Sequence, residues 1–174
     1  MVGLVEHIAR LDEGIAQLHA AIPGFPAGPA ALYRLLLLVD ERMDAALADE
    51  LKPHRLNHSE FLTLMVLYSC PEGSSTPGEL CDFTSQGTTN MTRIGNALAA
   101  RGLITRGTSR SDRRQVVVRI NAAGRRFVQK LLPPMFPRVE AMFAGFSIGE
   151  RRTLDRLLRK LAGNLDRAET GKTT

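Results

Sequence analysis

Two closely spaced helix starts constrain this chain more than any other feature. Thr76-Pro77-Gly78-Glu79 combines a hydroxyl N-cap, a proline at the first helical position and a glutamate at the third, which predicts a short helix to about Phe83. Ser85-Gln86-Gly87 reads as a turn. A second helix follows from about Gly87 to Ala100, with Met91, Ile94 and Leu98 on its apolar face. Arg101-Gly102 ends it, because glycine is free to take the left-handed conformation after a helix. Two helices joined by so short a turn make a helix-turn-helix. Behind it, Leu103–Arg106 and Val116–Ile120 are β-rich runs flanking a polar Gly/Ser/Arg/Asp stretch, so a hairpin with a long loop is expected as a wing.

The flanks are helical. Leu4, Val5, Ile8, Leu11, Ile15 and Leu18 recur at three- and four-residue spacing, and Pro23-Gly-Phe-Pro-Ala-Gly-Pro29 breaks that helix. The next carries Leu32, Leu35, Leu36, Val39, Met43, Ala46 and Leu47 on one wide stripe and runs to about Leu51, with Pro29 suited to its first turn. Asn57 and Glu60 form a capping-box pattern before a helix through Tyr68, and Pro71–Ser75 reads as a turn. Asn121 is placed to cap a helix that Pro133, Pro134 and Pro137 must kink or break. Ser147 and Glu150 open a last helix bearing Leu154, Leu157, Leu158, Leu161 and Leu165. The expected divisions are an N-terminal helix and linker (1–28), a dimerisation helix (29–56), a winged helix-turn-helix (57–120) and C-terminal dimerisation helices (121–174). The stripes on the outer helices are wider than one small lobe covers, which points to a partner chain.

Charge gives the chemistry. Eight arginines (101, 106, 110, 113, 114, 119, 125 and 126) stand against one acid, Asp112, a local +7 within a chain whose net charge is +5. Such a surface around a helix and a β-turn suits the phosphates of duplex nucleic acid. Thr88, Thr89, Asn90, Thr92 and Arg93 cluster near the start of the second helix, the end that a recognition helix points into the major groove. There Asn pairs with adenine, Arg with guanine, and Thr contacts a thymine methyl or a phosphate. Thr76, at the start of the first helix, joins the expected DNA contacts, as do Arg110, Asp112, Arg113 and Arg114 in the wing loop. Asp112, two residues from Arg114 along an extended chain, is expected to orient that guanidinium for a minor groove.

The same residues argue against other classes. No apolar run approaches the ~18 residues of a membrane span, and no signal-peptide pattern opens the chain, so a cytoplasmic protein without membrane association is expected. No Walker loop, GxGxxG, GxSxG or HExxH occurs, which argues against an enzyme and against a cofactor. His54 and His58 are four apart, but Asn57 as a helix cap breaks their continuity and no third ligand is near, so no metal is expected. Cys70 and Cys81 lack adjacent basic residues and read as structural thiols, with redox sensing as an alternative. A further alternative is an architectural DNA-binding protein without an effector.

From Asn57 to Leu132 the chain resembles the MarR family of winged helix-turn-helix regulators. The resemblance rests on Leu56 with Phe61, Glu79-Leu80, Asn90-Met-Thr-Arg-Ile94, Leu98 with Arg101-Gly-Leu-Ile104, Arg106, Asp112-Arg-Arg114 and the segment Val116–Gly124. Thr89 to Ile94 and Leu131-Leu-Pro-Pro134 look most like the EmrR/MprA-type multidrug-efflux repressor branch. Thr84 departs from the pattern, standing where an aliphatic residue is usual. The resemblance implies a mainly α fold with a small β-hairpin wing, dimerised through its N- and C-terminal helices. It also implies a ligand-responsive transcriptional repressor on a double-stranded palindromic operator, released by a small aromatic carboxylate or phenolic effector. Tyr33, Arg34, His54, Arg55, His58 and Met65 lie on segments that would border the effector pocket.

Overall fold

A computed structural model describes residues 3–108 and 114–171. Helices α1 (Leu4–Ala21) and α2 (Ala27–Leu51) pack together as a hairpin, and a 3₁₀ turn over Lys52–His54 follows. Next come α3 (His58–Ser69), β1 (Ser74–Ser75), α4 (Pro77–Thr84), α5 (Thr88–Ala100), β2 (Ile104–Thr108) and β3 (Val116–Ile120). Then α6 (Ala122–Leu131), a 3₁₀ turn over Pro133–Met135, α7 (Phe136–Met142) and α8 (Ile148–Thr170) complete the chain. It divides into two compact units, Met1–Val128 and Gln129–Thr174.

The capping signals act where the sequence placed them. Asn57 and Glu60 form a reciprocal capping box at α3, as do Thr76 and Glu79 at α4, each of the kind that contributes about 1 kcal/mol. Gly102, at φ 68°, ends α5 in the left-handed region expected of it. The prolines break the chain after Leu131 as anticipated.

The sheet departs from the expectation of a bare hairpin. It has three antiparallel strands in the order β1-β3-β2, with Ser74 opposite Arg119, Ser75 opposite Val118, and Ile104 through Thr108 opposite Ile120 through Val116. Pro71–Ser75 was expected to be a turn throughout. Its last two residues instead pair with the free edge of β3, and Gly73, at φ 63°, makes the bend that brings them there. Main-chain bonding alone makes this strand, so no apolar alternation announces it.

In the first unit, Leu64 and Leu67 of α3, Leu80 of α4, and Ile94 and Leu98 of α5 are buried with Ile104, Val117, Val118 and Ile120 of the strands. This core seats α4 and α5 against the sheet. Thr84, the departure from the family pattern, lies in it with its hydroxyl donating to the Leu80 carbonyl at 2.6 Å. The back-bond satisfies the one polar group that an aliphatic residue would lack. On α2, Leu32 and Tyr33 stay about two-thirds exposed (64% and 63%), and Leu36, Leu37 and Met43 are also exposed. Within the second unit, Phe136 and Val139 of α7 and Leu157, Leu158, Leu161 and Leu165 of α8 are exposed. Among the described residues no helix is long and apolar enough to cross a membrane.

Candidate nucleic-acid interface

The helix pair is fixed at its start by Glu79. Its carboxylate accepts from the Thr76 backbone N–H and from the Ser75 hydroxyl, both at 2.8 Å, while the Thr76 hydroxyl accepts from the Glu79 N–H at 3.2 Å. These bonds, led by the Thr76 backbone N–H, hold the Glu79 carboxyl below the usual carboxylate range. Ser85, at φ 51°, turns the chain, and the Gln86 N–H closes onto the Cys81 carbonyl at 3.0 Å. Gly87 then opens α5 without a side-chain cap, which leaves the first-turn N–H groups to solvent or an anion.

Along α5, Met91, Ile94, Gly95 and Leu98 face the core, while Thr88, Thr89, Thr92 and Arg93 are exposed and Asn90 is half-buried. The face expected to read DNA is therefore outward. Its side chains are already organised. The Thr92 hydroxyl donates to the Thr88 carbonyl at 3.0 Å, and Arg93 donates from Nε and Nη2 to Asn90 Oδ1 at 3.1 and 2.8 Å. Asn90 Nδ2 in turn donates to Oε1 of Gln86, in the turn before the helix.

The arginine cluster is less uniform than its sequence spacing suggests. Arg106 of β2 lies across α5, where Gly95 lacks a side chain, and donates to the Thr92 carbonyl at 3.1 Å. A Cβ at Gly95 would sit 2.3 Å from its Nη2. Arg101 donates to the Arg55 and His54 carbonyls, both at 2.9 Å, and stacks 5.3 Å over the Phe127 ring. Arg125 stacks over Tyr68 at 5.7 Å. Three of the eight arginines thus tie elements of the lobe together, so the local +7 overstates the charge offered to a ligand. Arg114 lies just before β3, while Arg110, Asp112 and Arg113 fall outside the described residues.

The six residues expected around an effector are not gathered into one described cavity. Tyr33 and Arg34 line a groove of about 630 Å³ between α1 and α2, with Arg10, Leu11, Ile15 and Phe25. Met65 borders an open cleft of about 420 Å³ with Val66, Cys70 and Phe83. The His54 ring meets Phe127 edge-on, and the Arg55 carbonyl accepts from Arg101. His58 Nδ1 lies 3.1 Å from Asp44 Oδ1. A third cavity, about 190 Å³ and mostly apolar, lies inside the winged lobe between Leu80, Cys81, Met91, Gly95, Ile104 and Val118. Cys70 and Cys81 are both free thiols and border different cavities. Among the described residues no group of three or more His, Cys, Asp or Glu side chains is placed to hold a metal.

The sequence model of the MarR family matches residues 55–115, from the end of the 3₁₀ turn to the wing. The transcriptional repressor MprA of Escherichia coli K12 is 30% identical over 145 residues, covering 83% of this chain and 82% of MprA. Among solved structures, a mutant MarR from E. coli complexed with operator DNA aligns with a TM-score of 0.66 at 24% identity, over 75% of this chain and 92% of that one. BpsR of Bordetella bronchiseptica, whose DNA binding is regulated by 6-hydroxynicotinic acid, aligns at 0.64 and 24% identity, over 74% of this chain and 91% of that one. At these identities the two structures speak to the fold.

Proposed function

Since the chain belongs to the MarR family, whose members are transcriptional regulators and not enzymes, we propose that it acts in the cytoplasm as a homodimeric repressor on a palindromic operator. The observation that carries this reading is the outward face of α5, where Thr88, Thr89 and Arg93 are exposed beside a wing strand tied to the same helix by Arg106. On this reading Thr76, Asn90, Thr92 and the wing residues Arg110, Asp112, Arg113 and Arg114 also contact the DNA. Base-reading and phosphate-binding side chains separate experimentally. Arg93→Ala should lower the preference for operator over random duplex, whereas Arg110→Ala should weaken both to a similar extent. Equal losses on both duplexes for Arg93→Ala would mean that this helix does not read bases.

Dimerisation is inferred from apolar surface. Exposed Leu32, Leu36 and Met43 on α2, and Leu157, Leu161 and Leu165 on α8, form stripes that a second copy would cover. On this reading 29–56 and 121–174 join the two copies and 57–120 carries the DNA. Sedimentation at micromolar concentration should give twice the 19.1 kDa chain mass. A monomer would end the proposal.

We assign the effector to the α1–α2 groove, where Tyr33 offers a ring and Arg34 a cation beside apolar walls. A small aromatic carboxylate or phenol fits that chemistry, and regulation of the structural neighbour BpsR by an aromatic acid supports the class. Release of DNA requires a coupling of ~1–3 kcal/mol, roughly 5–150-fold in affinity, and linkage demands that operator weaken ligand binding by the same factor. Calorimetric titration with and without operator checks this. Equal ligand affinity in the two titrations would make the compound a bystander.

A further inference from the structure

We infer that Gln86 is a positioning residue for base reading: acting through Asn90, it aims Arg93, so that Arg93 is the reader and Asn90 its support. The inference rests on the DNA-binding reading above and assigns a role to the turn between the two helices.

Three side chains form one directed relay. Gln86 Nε2 donates to the Thr84 carbonyl at 3.1 Å, Asn90 Nδ2 donates to Gln86 Oε1, and Arg93 donates twice to Asn90 Oδ1. Its two ends fix every orientation between them. A backbone carbonyl only accepts, so Gln86 must present its NH₂ there and its oxygen to Asn90. A guanidinium only donates, so Asn90 must turn its oxygen to Arg93 and its NH₂ to Gln86. Neither amide can flip without facing like groups, and each bond polarises the next.

The relay is built into the local backbone. The left-handed Ser85 turns the chain so that Gln86 stands one turn before Asn90, and Arg93 follows three residues later on the same helical face. Gly87, not Gln86, occupies the N-cap of α5, so the Gln86 side chain is not used to cap that helix. Gln86 and Asn90 are half-buried and Arg93 is exposed, which places the fixed end of the relay inside and its cation outside.

The consequence for recognition is chemical. Bidentate adenine reading needs Asn Oδ1 to accept from N6 and Nδ2 to donate to N7. Asn90 Oδ1 already accepts two charge-assisted bonds, which an adenine would have to displace. Arg93 uses Nε and one Nη2 hydrogen on Asn90. Among the described residues nothing engages its Nη1, so the outer edge keeps the parallel N–H pair that matches O6 and N7 of guanine.

Two measurements on the full chain test this. In the free protein, the Arg93 Nε–H resonance should shift and exchange faster with water in both Asn90→Ala and Gln86→Met; no response to Gln86→Met overturns the relay. The second measurement is base discrimination on a duplex selected by the wild type, with each base pair varied in turn. Arg93→Ala should lose guanine discrimination at one position by roughly 5–150-fold. Gln86→Met and Asn90→Ala should lose part of it, about 3–10-fold, at that same position, and neither should add to Arg93→Ala. Loss at an A·T pair in Asn90→Ala, or an undiminished Gln86→Met effect in the Arg93→Ala background, would overturn the proposal. A wild type that prefers no duplex would instead bring down the DNA-binding reading and the guanine assignment with it, an outcome distinct from a discriminating wild type unaffected by Gln86→Met.

Discussion

Gly124→Ala is expected to destabilise the winged lobe by about 2–4 kcal/mol, from overpacking of roughly 1–3 kcal/mol and a weakened helix cap of about 1 kcal/mol. Gly124 is buried in the first turn of α6. A Cβ there would stand 2.2 Å from the Leu103 carbonyl oxygen and 2.7 Å from Ile120 Cγ1. Neither neighbour can swing away. The Leu103 oxygen belongs to the backbone and accepts from the Asn121 N–H at 3.2 Å, and Ile120 is buried at the end of β3. The helix start must therefore move, which strains the bond from the Gly124 N–H to Asn121 Oδ1, now 2.9 Å. Gly95→Ala is the informative contrast. The nearest atoms to its Cβ belong to the far end of the flexible Arg106 side chain, and alanine gains up to ~1 kcal/mol of helix propensity, so the net change should be small. Urea unfolding at one fixed protein concentration compares the two variants. Equal midpoints would show that the close approach of α6 to the wing strand does not matter to stability.

Arg114→Ala should weaken operator binding by ~1–3 kcal/mol, about 5–150-fold, while leaving the fold intact. The wing is expected to place this guanidinium in a minor groove, where an arginine inserted between the phosphate walls gains from the negative potential. Asp112→Ala should cost less, because Asp112 is expected to act only by orienting Arg114. Titration of one labelled operator with both variants at the same salt concentration distinguishes these losses, since phosphate contacts alone make affinity strongly salt-dependent. An Arg114→Ala protein that binds as the wild type does would make the wing assignment wrong.

What the sequence made legible was local. A hydroxyl or amide N-cap and a glutamate three residues later identify the starts of α3 and α4, because both partners of each cap lie within one turn. Gly102 identifies the end of α5 for the same reason. Features built by distant partners stayed hidden. β1 is two serines whose pairing with β3 depends on residues more than forty positions away. Arg101 resembles its neighbours in a basic cluster until the fold brings the His54 and Arg55 carbonyls beneath it. Arg106 needs the missing side chain of Gly95 to lie across α5, and a glycine inside a helix does not by itself say what approaches it. Gln86 was legible as a turn residue. Its spacing of four from Asn90 was the available signal, and only the left-handed Ser85 turns that spacing into a contact. The candidate effector residues dispersed because adjacency to a helix junction does not specify which side of the helix a side chain occupies.

If the α5 face and the wing read duplex sequence, the purified chain will select particular sequences from a pool of randomised duplexes. Because two copies would each present a lobe, the enriched sequences should form an inverted repeat with half-site centres about one helical turn, roughly 10 base pairs, apart or a multiple of that. The selected duplex should outcompete random duplex by about 10³-fold or more at physiological salt. Enrichment of no common sequence, with random duplex competing equally, would contradict the account and leave the basic surface as a sequence-independent binder of phosphate.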